Sequence, residues 1–496
     1  MGTPQSYRQI FNAASIIGSS AFLNMFLTMF RNKITAVLLG TSGMGLLGLF
    51  ISLNSLASTA WGGGAAYSAT RKIAECNNNF RKIALIVVSL RRFAIINGLL
   101  CMILLAIFSP LFSEVIFGSQ KFIIPIICCG FAIFFTLQNN FLLAILQGYR
   151  DLYALAKIRI GVGLIGILLC LPCYYFWGHN GIVPFLILLA FGDWLLASYF
   201  VKKYRIRRVK LSWHRWGKTI RLLLSFGLYY MFFVFMADAC NYFQNILLLQ
   251  WYDLSICGIF QASRYLSGLL LSFILGAMGT DYYPRLAKIT RDKEELNNAV
   301  NDQQNICLLL VFPGILAVML FAPLAIKILY TDDFLPAVEL IRFFSLSSLL
   351  QTFSFALSYL TIAHGDGKML IISEMGAKTF ETSSFCFLIW SGIYQLGALS
   401  LIVSGIVYLV LLLGISHWRY AVHVNKENFL LLLFMLIIIV ISLGIYYCFQ
   451  EMYWGYVINS LILFASSSYC LISLSKKLSF SLSDLCNRIK LRFYKE

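Results

Sequence analysis

Charge is what this sequence has least of. Asp, Glu, Lys and Arg make up 12% of its 496 residues, against roughly 25% in a soluble domain. A solvated surface needs more, so a soluble multidomain protein is excluded. Acid is scarcer than base: 21 Asp and Glu stand against 39 Lys and Arg, a net charge of +18. Histidine occurs five times, and no Cys or His pattern has metal-site spacing. The 13 cysteines lie mostly in apolar stretches, as at Cys101, Cys128, Cys129 and Cys307, and read as small buried hydrophobes. Long polar loops on the outer side are missing too. A membrane-bound polymerase or glycosyltransferase needs such a loop with paired acids. The longest, around Phe117 to Lys121, is only a few residues, and Asp332–Asp333 stands alone. The chain is therefore expected not to be an enzyme and to need no cofactor.

What is present is apolar. Hydrophobic residues make up 60% of the chain, and mean hydropathy is +0.80. Stretches of about 20 residues recur throughout, each able to cross roughly 30 Å of hydrocarbon. Fourteen spans are expected: 10–39, 44–70, 83–108, 122–147, 152–176, 181–200, 222–250, 254–283, 301–329, 335–362, 367–391, 394–417, 428–448 and 453–473. Turn residues mark several gaps, among them Gly40–Gly43, Gly178–Gly181 and His364–Gly367. The first apolar stretch outruns the 7–15-residue core of a signal peptide and is expected to remain as a helix. The fold class is all-α, polytopic and membrane-spanning.

The basic residues fix the orientation. With the N-terminus in the cytoplasm, about 30 of the 39 face that side. They include Arg71, Lys72, Arg81 and Lys82; Arg150, Lys157 and Arg159; the cluster from Lys202 to Arg221; Arg285, Lys288, Arg291 and Lys293; and the tail from Lys476 to Lys495. Lys121, Lys327 and Arg342 fall outside. Both termini are expected in the cytoplasm. Topology and attraction to anionic lipids explain the basic loops, so no nucleic-acid partner is expected.

An internal repeat divides the chain. At an offset of 213, "RNKITAVLLGTSGMGLLGLF" (31–50) aligns with "QNILLLQWYDLSICGIFQAS" (244–263), pairing Asn32 with Asn245, Ser42 with Ser255 and Gly45 with Gly258. The same offset places Pro110 on Pro323. Two parallel, pseudo-symmetric six-helix lobes around a central cavity follow: 1–200 (spans 1–6) and 222–420 (spans 7–12), joined by the basic linker 201–221. Spans 13 and 14 (421–475) and the basic tail 476–496 lie outside the repeat. Parallel lobes suit an alternating-access transporter.

Polar residues line up on helical faces at steps of three and four. Span 1 carries Ser20, Asn24, Thr28, Arg31 and Thr35, and span 2 carries Gly48, Ser52, Ser55, Thr59 and Gly62. Span 7 has Asp238, Asn241 and Asn245, span 8 has Gln261, Arg264, Gly268 and Ser272, and span 11 has Glu374, Lys378 and Glu381; Arg91 and Arg92 stand on span 3. Ionisable groups at membrane depth face a bundle interior or a wet cavity. Arg31 and Arg264 have no acid on their own helices within reach, so they are the leading candidates for a cationic cavity, with Arg91 and Lys378 beside them. The fixed fork of an Arg suits phosphate. Other readings stay open: the span 2 stripe as a packing surface, Glu374–Lys378 as a static i,i+4 pair, Asp238 as a partner of Arg264, and Lys33 snorkelling outward or packing at the lobe edge.

"GIFQASRYLSGLLLSFILGAMGTDYYPRLAK" (258–288) resembles the eighth-helix region of the multidrug/oligosaccharidyl-lipid/polysaccharide exporter superfamily. "NKITAVLLGTSGMGLLGLFISLNSLASTAWGGGAAYSATRKIAE" (32–75) is similar to the helix 1–2 segment of its polysaccharide (O-antigen) flippases, and the resemblance extends over most of 1–420. It implies a flippase that moves undecaprenyl-pyrophosphate-linked oligosaccharide across the bacterial inner membrane in lipopolysaccharide or related polysaccharide biosynthesis, with membrane lipids and a polysaccharide polymerase machinery as partners. It also implies a cationic cavity with an Arg in helix 1 and one in helix 8, which map onto Arg31 and Arg264. The helix 1 pattern of the lipid II flippases is absent, since Phe30-Arg31-Asn32-Lys33 stands there; this speaks against a peptidoglycan precursor as cargo. Asn24, Thr28, Asp238, Asn241, Glu374 and Asp193 are the polar and H⁺- or Na⁺-coupling candidates. The alternative is a drug/cation antiporter of the same superfamily, whose cavity would be dominated by acids.

Overall fold

A computed structural model describes residues 4–76, 79–204, 209, 211–290, 292–449 and 453–478. Arg205, Arg207, Arg208, Arg291 and the basic tail beyond Leu478 lie outside the described residues. Fourteen α-helices, α1 to α14 in chain order, make up the described structure.

The first two spans form one long element, α1 (Pro4–Gly62), broken at a single residue. Gly40 has φ 64° and ψ −163°, which a residue with a Cβ rarely adopts. The turn expected over Gly40–Gly43 is thus compressed into a kink. Gly63 and Gly64, also at positive φ, end α1, and α2 (Ala65–Glu75) finishes the second span. The later spans match one helix each: α3 (Phe80–Phe117), α4 (Ile123–Gly148), α5 (Leu152–Trp177), α6 (Ile182–Lys202), α7 (Trp213–Trp251), α8 (Leu254–Lys288), α9 (Lys293–Leu329), α10 (Ala337–Ala363), α11 (Gly367–Trp390), α12 (Leu399–Tyr420), α13 (Lys426–Cys448) and α14 (Tyr453–Leu478). Among the described residues, ten stretches are long and apolar enough to cross a membrane. Two of them, Gly18–Gly62 and Leu152–Lys202, run 45 and 51 residues, enough for two crossings each. The polar α8 and α11 fall outside those ten.

The repeat reappears in the elements. Lys293 opens α9 213 residues after Phe80 opens α3, and Gly367 opens α11 215 residues after Leu152 opens α5. The 3₁₀ turns Gln120–Phe122 and Asp332–Phe334 are 212 apart. A corner is duplicated in detail. Before α5, Arg150 takes φ 56°, Asp151 accepts from the Ala154 amide at 3.0 Å, Tyr149 stacks on Tyr204 at 4.2 Å and Lys203 lies 4.0 Å from Asp151. Before α11, Gly365 takes φ 68°, Asp366 accepts from the Met369 amide at 3.4 Å, His364 stacks on Tyr420 at 4.3 Å and Arg419 pairs with Asp366 at 3.2 Å. Both aspartates act as N-caps, satisfying amides that the first helical turn leaves open.

The chain divides into two compact units. The first comprises Met1–Ala262, Ile326–Pro336 and Phe385–Tyr394. Its core is built around Phe50, Ile126, Ile133, Tyr174 and Phe185. The start of α8 crosses α1 here at backbone contact. A Cβ on Gly45 would stand 2.0 Å from Leu254 O, and one on Gly258 would stand 2.0 Å from Thr41 O. Thr41 and Leu254, like Gly45 and Gly258, are 213 residues apart, so this contact is reciprocal between repeat-equivalent positions. Small residues at such crossings let helices reach van der Waals distance where lipid gives no hydrophobic drive. The second unit comprises Ser263–Ala325, Ala337–Ser384 and Gln395–Glu496. Its core joins Tyr282, Phe312, Phe353, Leu412 and Ile439, so α13 packs into the same body as α9, α10 and α12.

Candidate functional site

In the first unit, the polar line of α1 lies along α5. Asn24 Oδ1 would be 2.9 Å from a Cβ on Gly163, and Arg31 Cδ and Nη1 would each be 3.5 Å from one on Gly166. The glycines leave a shallow trough in which these side chains lie. Thr28 donates to Asn24 O at 2.8 Å and Thr35 to Arg31 O at 3.0 Å, so the helix satisfies its own hydroxyls. The guanidinium is different. Arg31 Nε is enclosed with no hydrogen-bond partner, and no acid pairs with Arg31 among the described residues.

A second group joins α1 to α7 and the start of α8. Thr59 donates to Asp238 Oδ2 at 2.8 Å. Asn245 donates to Ser52 Oγ at 3.3 Å and accepts from Gln261 Nε2 at 3.1 Å. The stripe on span 2 is thus both a packing surface and a hydrogen-bonding edge. Asp238 has a neutral hydroxyl as its hydrogen-bond partner. Asn241 lies half-buried on α7, one turn from Asp238. Across α4 and α6, Asn139 donates to Asp193 Oδ2 at 2.6 Å.

In the second unit, Arg264 on α8 is within electrostatic reach of Glu381 on α11. Glu381, 2% exposed, accepts from Lys378 Nζ at 2.8 Å. Glu374 is also within electrostatic reach of Lys378, so the two cations of this group face two carboxylates. Glu374 accepts from Tyr408 Oη at 2.6 Å. Lys378 makes its direct contact with Glu381 at i,i+3 and acts on Glu374 at i,i+4 through space.

Two basic residues take other positions. Lys33 donates to the carbonyls of Lys327, at 3.2 Å, and Tyr330. It caps the C-terminal end of α9, where orphan carbonyls and the helix dipole favour a cation. Arg92 donates to Leu211 O at 2.7 Å and lies over the Trp213 ring. Span 3 at this point is therefore level with the linker into α7. Arg91, its neighbour, is exposed and belongs to neither cationic group.

Reading single helices could not have found Glu381 as the partner of Arg264, because the pairing acid stands on another helix. The only sequence signal was its place on the α11 stripe.

A profile of the polysaccharide biosynthesis protein family matches residues 86–339, from α3 into α10. The chain belongs to this family. The Lipid III flippase of Escherichia coli (strain K12) is similar to this chain, 22% identical over 359 residues, covering 70% of this chain and 83% of that protein. The Shigella flexneri Lipid III flippase matches to the same extent. Among solved structures, Lipid II flippase MurJ in an inward closed conformation gives a TM-score of 0.75 at 15% identity, covering 94% of this chain and 99% of that one. An inward-facing multidrug resistance MATE family transporter of the MOP superfamily gives 0.65 at 15% identity, covering 80% and 96%. This member of the polysaccharide biosynthesis family is all-α with fourteen helices, and its fold is that of the MurJ structure over 94% of its length. The resemblance to the exporter superfamily is thereby borne out.

Proposed function

We propose that this protein is a flippase that carries an undecaprenyl-pyrophosphate-linked oligosaccharide, an O-antigen-type repeat unit, from the cytoplasmic to the periplasmic leaflet of the bacterial inner membrane. The observation that carries the reading is Arg31: a guanidinium at membrane depth, enclosed at Nε, with no acid paired to it among the described residues. Holding a bare cation at that depth costs about 2.5–3.5 kcal/mol on insertion scales, a cost a phosphate ligand would offset. The planar fork of the guanidinium fits two phosphate oxygens at once. Arg264 and Lys378, in the second unit, supply another pair of cations, which Glu381 and Glu374 face. Arg31, with no acid paired to it among the described residues, speaks against a cationic drug as cargo.

In this mechanism the pyrophosphate is held by arginine while the sugars meet the amide and hydroxyl groups of α1 and α7. The polyprenyl chain stays in lipid, and the lobes 1–200 and 222–420 rock about each other. Asp193 and Asp238 each hold a neutral donor, so each is open to binding H⁺ or Na⁺ during the cycle, and Glu374, held by Tyr408 and facing Lys378, is the third candidate. The protein acts without covalent chemistry, with its termini in the cytoplasm, and hands its cargo to a polysaccharide polymerase.

The test is restoration of surface polysaccharide in a flippase-deficient strain, together with flipping of a lipid-linked sugar in proteoliposomes. Arg31→Ala is expected to abolish both with expression intact, and Arg31→Lys to recover only part, because charge returns without the fork. Wild-type transport by Arg31→Ala would overturn the phosphate role.

A further inference from the structure

The first unit has a cleft of about 490 Å³ where α5 begins and α6 ends. It is lined by Asp151, Tyr153, Lys157, Tyr199, Lys202 and Lys203, among others. We infer that this cleft binds the head of one anionic phospholipid of the cytoplasmic leaflet, with an acyl chain lying along α6. Two independent features meet here.

The first is charge. Three lysines stand against one carboxylate, and that carboxylate is already engaged: Asp151 accepts from Tyr204 Oη at 2.7 Å and from the Ala154 amide at 3.0 Å. Lys203 is its ion-pair partner at 4.0 Å with a side chain 75% exposed. Lys157 and Lys202 are exposed and form no salt bridge among the described residues, Lys157 acting on Asp151 only through space. Their heads are free to reach a phosphodiester. The α5 amides face the same place with their positive dipole end.

The second is an apolar wall of the right length. Leu188, Phe191, Leu195 and Tyr199 recur at steps of three and four along α6, and all are exposed. They lead away from the lysines toward the membrane centre. Leu188 to Tyr199 spans about 17 Å at 1.5 Å per residue, about half of a ~30 Å hydrocarbon core, or one leaflet. Tyr153 and Tyr199, 65% and 71% exposed, stand at the boundary between head and tail, where amphipathic rings settle. A free phosphate would use only the lysines; a phospholipid uses both features. The occupant is therefore the lipid, and its binding does not depend on what the protein transports.

The test uses the full-length protein purified in detergent and native mass spectrometry with phosphatidylglycerol and phosphatidylcholine of matched chains. The wild type is expected to retain the anionic lipid preferentially. Each of K157Q, K202Q and K203Q is expected to lower that preference about fivefold, and the triple variant to abolish it. All three lysines are exposed, so each variant should fold; K202Q, which touches no acid, should melt with the wild type, and K157Q and K203Q, which face Asp151, slightly below it. Leu195→Ser with Tyr199→Ser is expected to weaken retention of both lipids. Equal retention of the two lipids by the wild type, or a preference that survives the triple variant, would overturn the assignment. So would displacement of the lipid by millimolar inorganic phosphate with no effect from the α6 substitutions.

Discussion

Replacing Gly45 with Ala probes the crossing of α1 and α8 at its tightest point. The new Cβ would lie 2.0 Å from Leu254 O and 2.9 Å from Gly258 N. Both are backbone atoms, so no side chain can turn aside; the helices must separate, losing close packing along their contact. Overpacking commonly costs about 1–3 kcal/mol, and this geometry places the variant near 3 kcal/mol. At ~2–4 °C per kcal/mol, the value for domains of 150–250 residues, melting should fall by about 6–12 °C. Gly258→Ala meets Thr41 O at the same 2.0 Å and should cost as much. The double variant should cost well under the sum, because the first methyl has already parted the helices; a coupling of about 2 kcal/mol is within the range for residues in contact. Gly48→Ala is the control. Its Cβ would meet Gln261 Cγ at 2.6 Å, and a side chain can move, so the loss is about 1 kcal/mol for the hydrogen bond to Asn245. Thermal unfolding in detergent, followed by tryptophan fluorescence, measures all four. A Gly45→Ala protein that melts with the wild type, or strict additivity of the pair, would refute the reciprocal crossing.

Three further outcomes are expected. Arg342 is 2% exposed and lies over the Tyr446 ring at 3.2 Å, binding α10 to α13; Tyr446→Leu should cost about 2 kcal/mol of thermal stability while Tyr446→Phe costs almost nothing. Glu381→Gln removes the carboxylate shared by Arg264 and Lys378, and a broken buried pair costs about 3–5 kcal/mol, so the variant should melt early and Lys378→Gln in the same chain should recover part of the loss. Burial pushes the Asp151 carboxyl up, but Tyr204, the Ala154 amide, Lys203 and Lys157 outweigh it and hold it below its ordinary value. A depressed carboxyl stabilises above its unfolded value, about 3.9, and that stability is lost as pH falls through the folded one. The gap in melting temperature between wild type and Asp151→Asn should therefore be full at neutral pH and close as the solution is acidified below about pH 4; a gap independent of pH would remove the role given to the charge.

The sequence carried much of the architecture. Apolar stretches set the number and place of the helices, because a backbone in lipid must satisfy its own hydrogen bonds and has few alternatives to a helix. The offset of 213 between Gly45 and Gly258 carried the repeat, and the two glycines meet because backbone contact admits nothing larger. The helical wheel of α1 grouped Asn24, Thr28 and Arg31, since neighbours at three and four residues share a face whatever surrounds them. What periodicity could not show was the partner on another helix. Lys33 and Arg31 are two residues apart on similar ground, yet one caps α9 and the other lies in the trough of α5. Arg91 and Arg92 are adjacent, yet only the second reaches the linker carbonyl. Glu374 and Glu381 sit on one stripe, yet the first takes its hydrogen bond from a tyrosine and the second from Lys378. A side chain's place along its helix follows from the local sequence, but its charge balance is decided by residues tens to hundreds of positions away, which only the packing of helices brings within a few ångströms.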